Sequence, residues 1–148
     1  MALRASVTEV VRARADEVLR LVIDSNRLPE WNALITGVVL PLRDLAPGSE
    51  WVFAMRAMGK SWHSRSEVLD YDAPSGRFSY RSRTDDGNPS YGDWTWTVRA
   101  DPEGSRVTVG WELHPRTFWR RTLMARMRNR QLRGEVRSSL RAVERCIT

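Results

Sequence analysis

Tyr80 and the serines Ser64, Ser66 and Ser82 are the residues of this chain best placed by type and spacing to do chemistry away from bulk water. Each lies in a stretch that alternates like a β-strand, within two or four residues of a ring, so hydroxyl and ring share a face. Tyr80 follows Phe78 at that spacing and precedes Ser82, while Ser64 and Ser66 follow Trp62. A phenol set among rings can donate to a carbonyl oxygen, and a neighbouring serine can orient that carbonyl or hold a water. Neither Ser64 nor Ser66 has a visible base partner, so nucleophilic attack is not expected of them.

Other chemistries find little support. His63 and His114 are far apart, lack the H-E-x-x-H spacing and are expected to point outward, so no metal site is expected. Gly48, Gly59 and Gly110 are isolated, and no P-loop, G-x-S-x-G elbow or dinucleotide fingerprint occurs. Asp24 and Glu30 could act as acids near a cavity mouth, but helix capping and solvation account for them more simply. Cys146 is the single cysteine, which excludes an intramolecular disulfide and a cysteine-based metal cluster and fits a reducing compartment. Met1 to Ser6 leads straight into alternating sequence without an apolar leader, and no run approaches the ~18 apolar residues of a membrane span. A soluble, unexported, cytoplasmic protein without a cofactor is the expectation.

The net charge is +6, and Lys60 is the only lysine among 24 basic residues. Ten arginines fall between Arg116 and Arg145, where Glu135 and Glu144 are the only acids. The C-terminal segment is therefore a basic rod. Its Arg120, Arg121, Arg126, Arg128, Arg130, Arg133 and Arg137 could meet RNA phosphates or anionic lipid headgroups. A solvated helix face is the favoured explanation, since exposed arginines cover apolar surface with their stems, and no RNA-binding motif accompanies the charge.

The elements that must position these groups follow from periodicity. With 148 residues the chain fits one domain, 1–148, with a substantial core. Leu3 to Arg12 alternates as a first strand. Ala13 to Asp24 reads as a helix, with Asp16 and Glu17 favouring the positive end of its dipole and Val18, Leu21 and Val22 on one stripe. A short helix is expected over Arg27 to Asn32, with Pro29 in its first turn and Asp24-Ser25-Asn26 supplying cap chemistry.

From Leu34 the period changes to two. Strands are predicted from Ile35 to Leu40, through Trp51, Phe53 and Met55, from Trp62 to Leu69, through Phe78 and Tyr80, through Trp94 and Trp96, and from Val107 to Leu113. Five of the seven tryptophans lie in these strands. Burying each ring contributes about 2 kcal/mol, so the aromatic face demands a cover. The last thirty or so residues supply it. Thr117 can cap this terminal helix, and Phe118, Ala125, Leu132, Val136, Leu140, Val143 and Ile147 follow one stripe. Gly134 interrupts it and suggests a bend or a close approach to another element.

The order of strand, helix, short helix, six strands and long terminal helix, together with four local patterns, resembles the START-like SRPBCC superfamily, in particular its small bacterial polyketide cyclase/dehydrase and lipid-transport branch. Asp16-Glu17-Val18-Leu19 is similar to the family's opening helix, and Leu28-Pro29-Glu30-Trp31-Asn32 to its short helix ending in tryptophan. Glu67 to Pro74 followed by Arg77-Phe78 is similar to its strand and turn, and Gly104-Ser105-Arg106-Val107-Thr108 to its Gly-Thr-Arg-Val-Thr hairpin. Arg14, Leu19 and Ser105 depart from the pattern at a helix start, a packing site and a turn. The resemblance implies an α+β helix-grip (START/Bet v 1-like) fold, a curved antiparallel sheet wrapped around a long C-terminal helix. These motifs are structural, so function rests on the site.

Inside the grip, Trp51, Phe53, Met55 and Trp62 are expected to form one part of an aromatic and thioether wall. Phe78, Tyr80, Trp94, Trp96 and Trp111 supply the other, and Met124 and Met127 descend from the helix. Ser64, Ser66 and Ser82 are the hydroxyls among them. A mostly apolar lining with a few orienting polar groups suits a small molecule. The expected function is binding of a hydrophobic, aromatic polyketide-like or lipid-like molecule, by a carrier or by a cyclase/dehydratase. The alternative is a regulatory protein whose Arg-rich helix binds RNA, a ribosome or a membrane surface. Nucleic acid is the less expected partner, peripheral membrane contact is allowed, and a monomer or homodimer is expected.

Overall fold

The structure, a computed structural model, describes residues 3–116 and 119–147, with side chains for all of these except 119–125. Thr117 and Phe118 lie outside the described residues, as do the side chains of Met124 and Ala125. Seven antiparallel strands form one sheet: β1 (Leu3–Val11), β2 (Ile35–Leu40), β3 (Glu50–Ala57), β4 (Lys60–Asp72), β5 (Arg77–Thr84), β6 (Tyr91–Asp101) and β7 (Gly104–His114). Their order is β1-β7-β6-β5-β4-β3-β2, so the first two strands are the two edges. The chain passes between those edges through α1 (Ala15–Ile23), a 3-10 turn (Ser25–Arg27) and α2 (Leu28–Trp31). The long helix α3 (Trp119–Ile147) completes the helix grip.

Local chemistry explains the boundaries. Helix α1 begins two residues later than its periodicity suggests, because Arg14 is extended and its guanidinium binds Asp16 at 3.2 Å. It stops at Asp24, whose carboxylate accepts the Asn26 backbone N–H at 3.1 Å and redirects the chain. Pro29 then opens α2 in the first turn, where its missing N–H is harmless.

Registers across the sheet decide what lies beneath the helix. One cross-strand row runs Tyr71, Phe78, Trp96, Val109, Val7, and another runs Val68, Tyr80, Trp94, Trp111, Ala5. A third runs Trp51, Ser66, Ser82, Gly92, Leu113 and is small across its middle. Opposed residues of paired strands share a face, so the two bulky rows lie side by side and the row of small residues runs next to them as a trough. A bulge between Val68 and Asp70 adds one residue to β4 and keeps Tyr71 on the ring side, edge-on to Phe78 at 6.2 Å. The next turn needs a glycine. Gly76 has φ +67, and a Cβ there would overlap the carbonyl oxygen of Val98.

Helix α3 buries Leu132, Val136, Leu140 and Val143. The Glu144 carboxylate accepts the Arg12 backbone N–H at 2.8 Å, and Arg137 meets Glu9 at 3.4 Å, which holds the helix along β1. The close approach expected at Gly134 does not occur: the residue is exposed and an added Cβ would meet nothing within 4 Å. Its glycine lowers helix propensity without a packing return. Among the described residues no helix is long and apolar enough to cross a membrane. Leu140 is 2% exposed, so Leu140→Ala should lower the unfolding free energy by about 2–5 kcal/mol in urea denaturation, whereas Gly134→Ala should raise it by up to about 1 kcal/mol.

Candidate functional site

Between the trough and the helices lies a cavity of about 880 Å³. Its floor is the sheet, with Trp51, Phe53, Phe78 and Trp96 as the apolar wall. Leu28 and Trp31 close one side from α2, and the middle of α3 forms the roof through Met127, Leu132 and Val136. The rings brace one another. Trp51 stands edge-on to Tyr80 at 5.2 Å, and Trp31 edge-on to Trp96 at 5.5 Å, geometries that add about 0.5–1.5 kcal/mol each beyond burial. Met58 of the β3–β4 hairpin and Met127 of α3 also line the cavity and are 89% and 58% exposed, so it reaches the surface at these residues.

Most of the expected wall borders this space: Trp51, Phe53, Met55 and Trp62 from β3 and β4; Phe78, Tyr80, Trp94 and Trp96 from β5 and β6; and Met127 from α3. Ser64 and Ser82 border it as well. Two expected residues do not. Ser66 is fully buried behind Ser82, donating to its hydroxyl at 3.2 Å. Trp111 turns its indole N–H to Asn129 Oδ1 at 2.7 Å and so fastens α3 to the sheet. The Met124 side chain lies outside the described residues.

The polar groups are few and specific. Ser64 and Ser82 share a hydrogen bond of 3.0 Å, and Ser64 can also donate to the Arg83 carbonyl at 3.3 Å. The Tyr80 hydroxyl accepts the Trp96 indole N–H at 3.3 Å. Tyr80 lines the cavity and is half-buried among rings, and desolvation pushes its phenol up from 10.0 to about 12, against the opposing effect of the Trp96 hydrogen bond. It therefore keeps its proton and serves as a donor. The buried Trp31 indole N–H has no hydrogen-bond partner among the described residues.

The remaining sequence candidates fall elsewhere. Asp24 is a cap, and Glu30 is held by Arg27 through two 3.0 Å bonds that lower its pKa. His63 is exposed. His114 was expected to point into solvent but is half-buried at the cavity rim, stacked on Tyr91 at 4.6 Å with Nε2 at 2.8 Å from Glu112. The pairing of β6 with β7 sets it opposite Tyr91, an alignment invisible in either strand alone. Among the described residues no group of three or more His, Cys, Asp or Glu could hold a metal ion.

Sequence reasoning missed the polar roof. Arg128, Gln131, Glu135 and Ser139 all border the cavity, and Arg128 Nη1 lies 2.6 Å from both Glu135 oxygens. Their spacing with Leu132 and Val136 was the available signal, since positions 128, 132, 135, 136 and 139 share one helical stripe. Of the basic rod, Arg130, Arg133, Arg137, Arg141 and Arg145 are exposed, and the side chains of Arg120 and Arg121 lie outside the described residues.

Residues 2–147 match the protein family described as polyketide cyclase / dehydrase and lipid transport. Solved structures with the same fold include a protein from Chromobacterium violaceum, 19% identical with a TM-score of 0.73, covering 97% of this chain and 96% of that one. The ginseng major latex-like protein 151 from Panax ginseng is 12% identical with a TM-score of 0.72, covering 100% and 99%. The di-domain ARO/CYC StfQ from the steffimycin biosynthetic pathway is 13% identical with a TM-score of 0.77, over 99% of this chain and 51% of that one. No curated protein matches the chain by sequence.

The Tyr80 phenol gives the cavity a pH signature. Between pH 10.0 and about 12 the unfolded chain loses this proton while the folded chain keeps it, so stability should fall as pH rises through that window. The loss should total about 2–3 kcal/mol, and Tyr80→Phe should remove that part of the alkaline slope in urea denaturation.

Proposed function

The chain belongs to the polyketide cyclase / dehydrase and lipid transport family, within the START-like SRPBCC superfamily, and from that premise we propose that its cavity binds a hydrophobic, ring-bearing or lipid-like small molecule. The observation that carries this reading is the trough of Ser64, Ser82 and Gly92 beneath an aromatic wall, enclosing about 880 Å³. That volume lies within the range of about 300–1,000 Å³ typical of small-molecule sites. Tyr80, protonated up to about 12, suits the role of hydrogen-bond donor to a carbonyl oxygen of the ligand rather than of a base. Holding and orienting is the role these residues support best, by a cytoplasmic carrier or binding protein. A cyclase or dehydratase would use the same cavity with proton transfer added, Tyr80 polarising the carbonyl.

A second reading, contact of the cavity mouth with an anionic membrane, is favoured by the β3–β4 hairpin. Met58 is 89% exposed at its tip and flanked by the exposed cations Arg56 and Lys60, and Met127 is exposed on α3. A buried methionine contributes about 1.5–3 kcal/mol and each surface cation near anionic lipid about 1 kcal/mol.

Two measurements test these readings. Tryptophan fluorescence against a panel of polycyclic and acyl compounds, with native mass spectrometry of the purified protein, should reveal one-to-one complexes. Ser64→Phe, which fills the trough, should weaken them by at least about tenfold while circular dichroism stays unchanged; failure of the whole panel to bind would refute the reading. For the membrane, flotation should recover the protein with phosphatidylglycerol-containing vesicles but not with phosphatidylcholine alone, and Met58→Glu should abolish recovery. Equal recovery of Met58→Glu would rule out docking through the hairpin.

A further inference from the structure

The cavity is mostly apolar on the sheet side, where Arg83 of β5 is the one charged residue among its described lining, and its roof carries Arg128 and Glu135. Arg83, Arg128 and Glu135 are the fully charged side chains among its described lining, so cations outnumber carboxylates there two to one. Glu135 and Arg128 sit seven residues apart on α3, with Leu132 between them on the same stripe, and are 34% and 37% exposed.

Their contact has an uneven geometry. Both Glu135 oxygens converge on one nitrogen, Arg128 Nη1, at 2.6 Å each. A guanidinium can offer a carboxylate two parallel N–H donors along one edge, the arrangement that gives such pairs their strength and specificity. Here the described hydrogen bonds of Arg128 use Nη1 alone, and the edge formed by Nε and Nη2 has no partner among the described residues. The pair is neither deeply buried nor ideally forked, so a second carboxylate can share the guanidinium, or displace Glu135 into water, without stranding a buried charge.

We propose that the ligand of this cavity is an amphipathic acid, whose carboxylate binds Arg128 on the roof while its apolar body lies against Trp51, Phe78 and Trp96. Glu135 is then the internal competitor that tunes affinity. This rests on the cavity-binding reading above and adds the chemical class of the ligand to it. It also gives Arg128 a role distinct from that of the outward arginines on the same helix.

The test uses one apolar body with three head groups: 1-pyrenebutanoate, its primary amide and its methyl ester, titrated by energy transfer from tryptophan at neutral pH. The carboxylate should bind at least about tenfold more tightly than the amide, as a charge-assisted hydrogen-bonded pair provides. Arg128→Gln should bring the carboxylate down to the affinity of the amide and so erase that preference, while Arg128→Lys should restore part of it. Glu135→Gln should tighten the carboxylate and not the ester. Thermal denaturation of each variant confirms that it is folded. If all three probes bind alike, or the carboxylate preference survives Arg128→Gln, the anion site is disproved and the cavity reading stands. If none of the three binds, both fall together.

Discussion

One long helix has to cover a sheet face wider than itself, and the rest of the structure follows from how unevenly it does so. The second half of α3 packs tightly: Leu140 and Val143 are closed into the core, and Glu144 reaches the backbone of Arg12. Around its middle, Trp111 holds the helix at Asn129, and Met127, Arg128, Gln131, Leu132, Glu135, Val136 and Ser139 border the space. A sheet lined with Val and Ile could rise to meet the helix. This one places Ser64, Ser82 and Gly92 at that point, so the rings around them lean on one another and leave a hollow.

The hollow changes what its polar groups can do. A phenol on an exposed strand would titrate near its ordinary value, but Tyr80 is set among rings whose desolvation keeps it protonated to about 12. The two serines satisfy one another, which lets them sit among rings without an exposed dipole. An interior of this kind offers donors at fixed positions among rings, the mixture common in small-molecule sites. The roof adds the feature that the walls lack, a cation paired to its counter-ion along only part of its hydrogen-bonding surface.

Likeness to a latex-like protein, to a bacterial protein and to half of a di-domain ARO/CYC, all below 20% identity, shows a common fold carried by very different side chains. The shared part is the division of labour between a gripping sheet and a covering helix. At such identity the likeness speaks for the fold and not for the lining. For that reason Tyr80, the serine pair and the Arg128–Glu135 contact carry more functional weight than the motifs that identify the family.

Alternation made every strand of the sheet legible before any coordinates, because period-two patterning survives small errors of boundary: β2 runs from Ile35 to Leu40 as expected, and Trp51, Phe53, Trp94 and Trp96 share the ring side. The cap at Asp24 and the proline start of α2 were equally readable, since such signals act within a few residues. Four features were not: the bulge that turns Tyr71 inward, the withdrawal of Ser66 and Trp111 from the cavity, the stacking of His114 on Tyr91, and the pairing of Arg128 with Glu135 at the cavity rather than on a solvated basic face. Each depends on which residue of one strand meets which residue of another, or on which side of a helix meets a void. Local sequence determined which elements form and which faces are apolar. Only tertiary packing decided where those faces fail to touch, because a cavity is a property of the fit between surfaces and not of either surface alone.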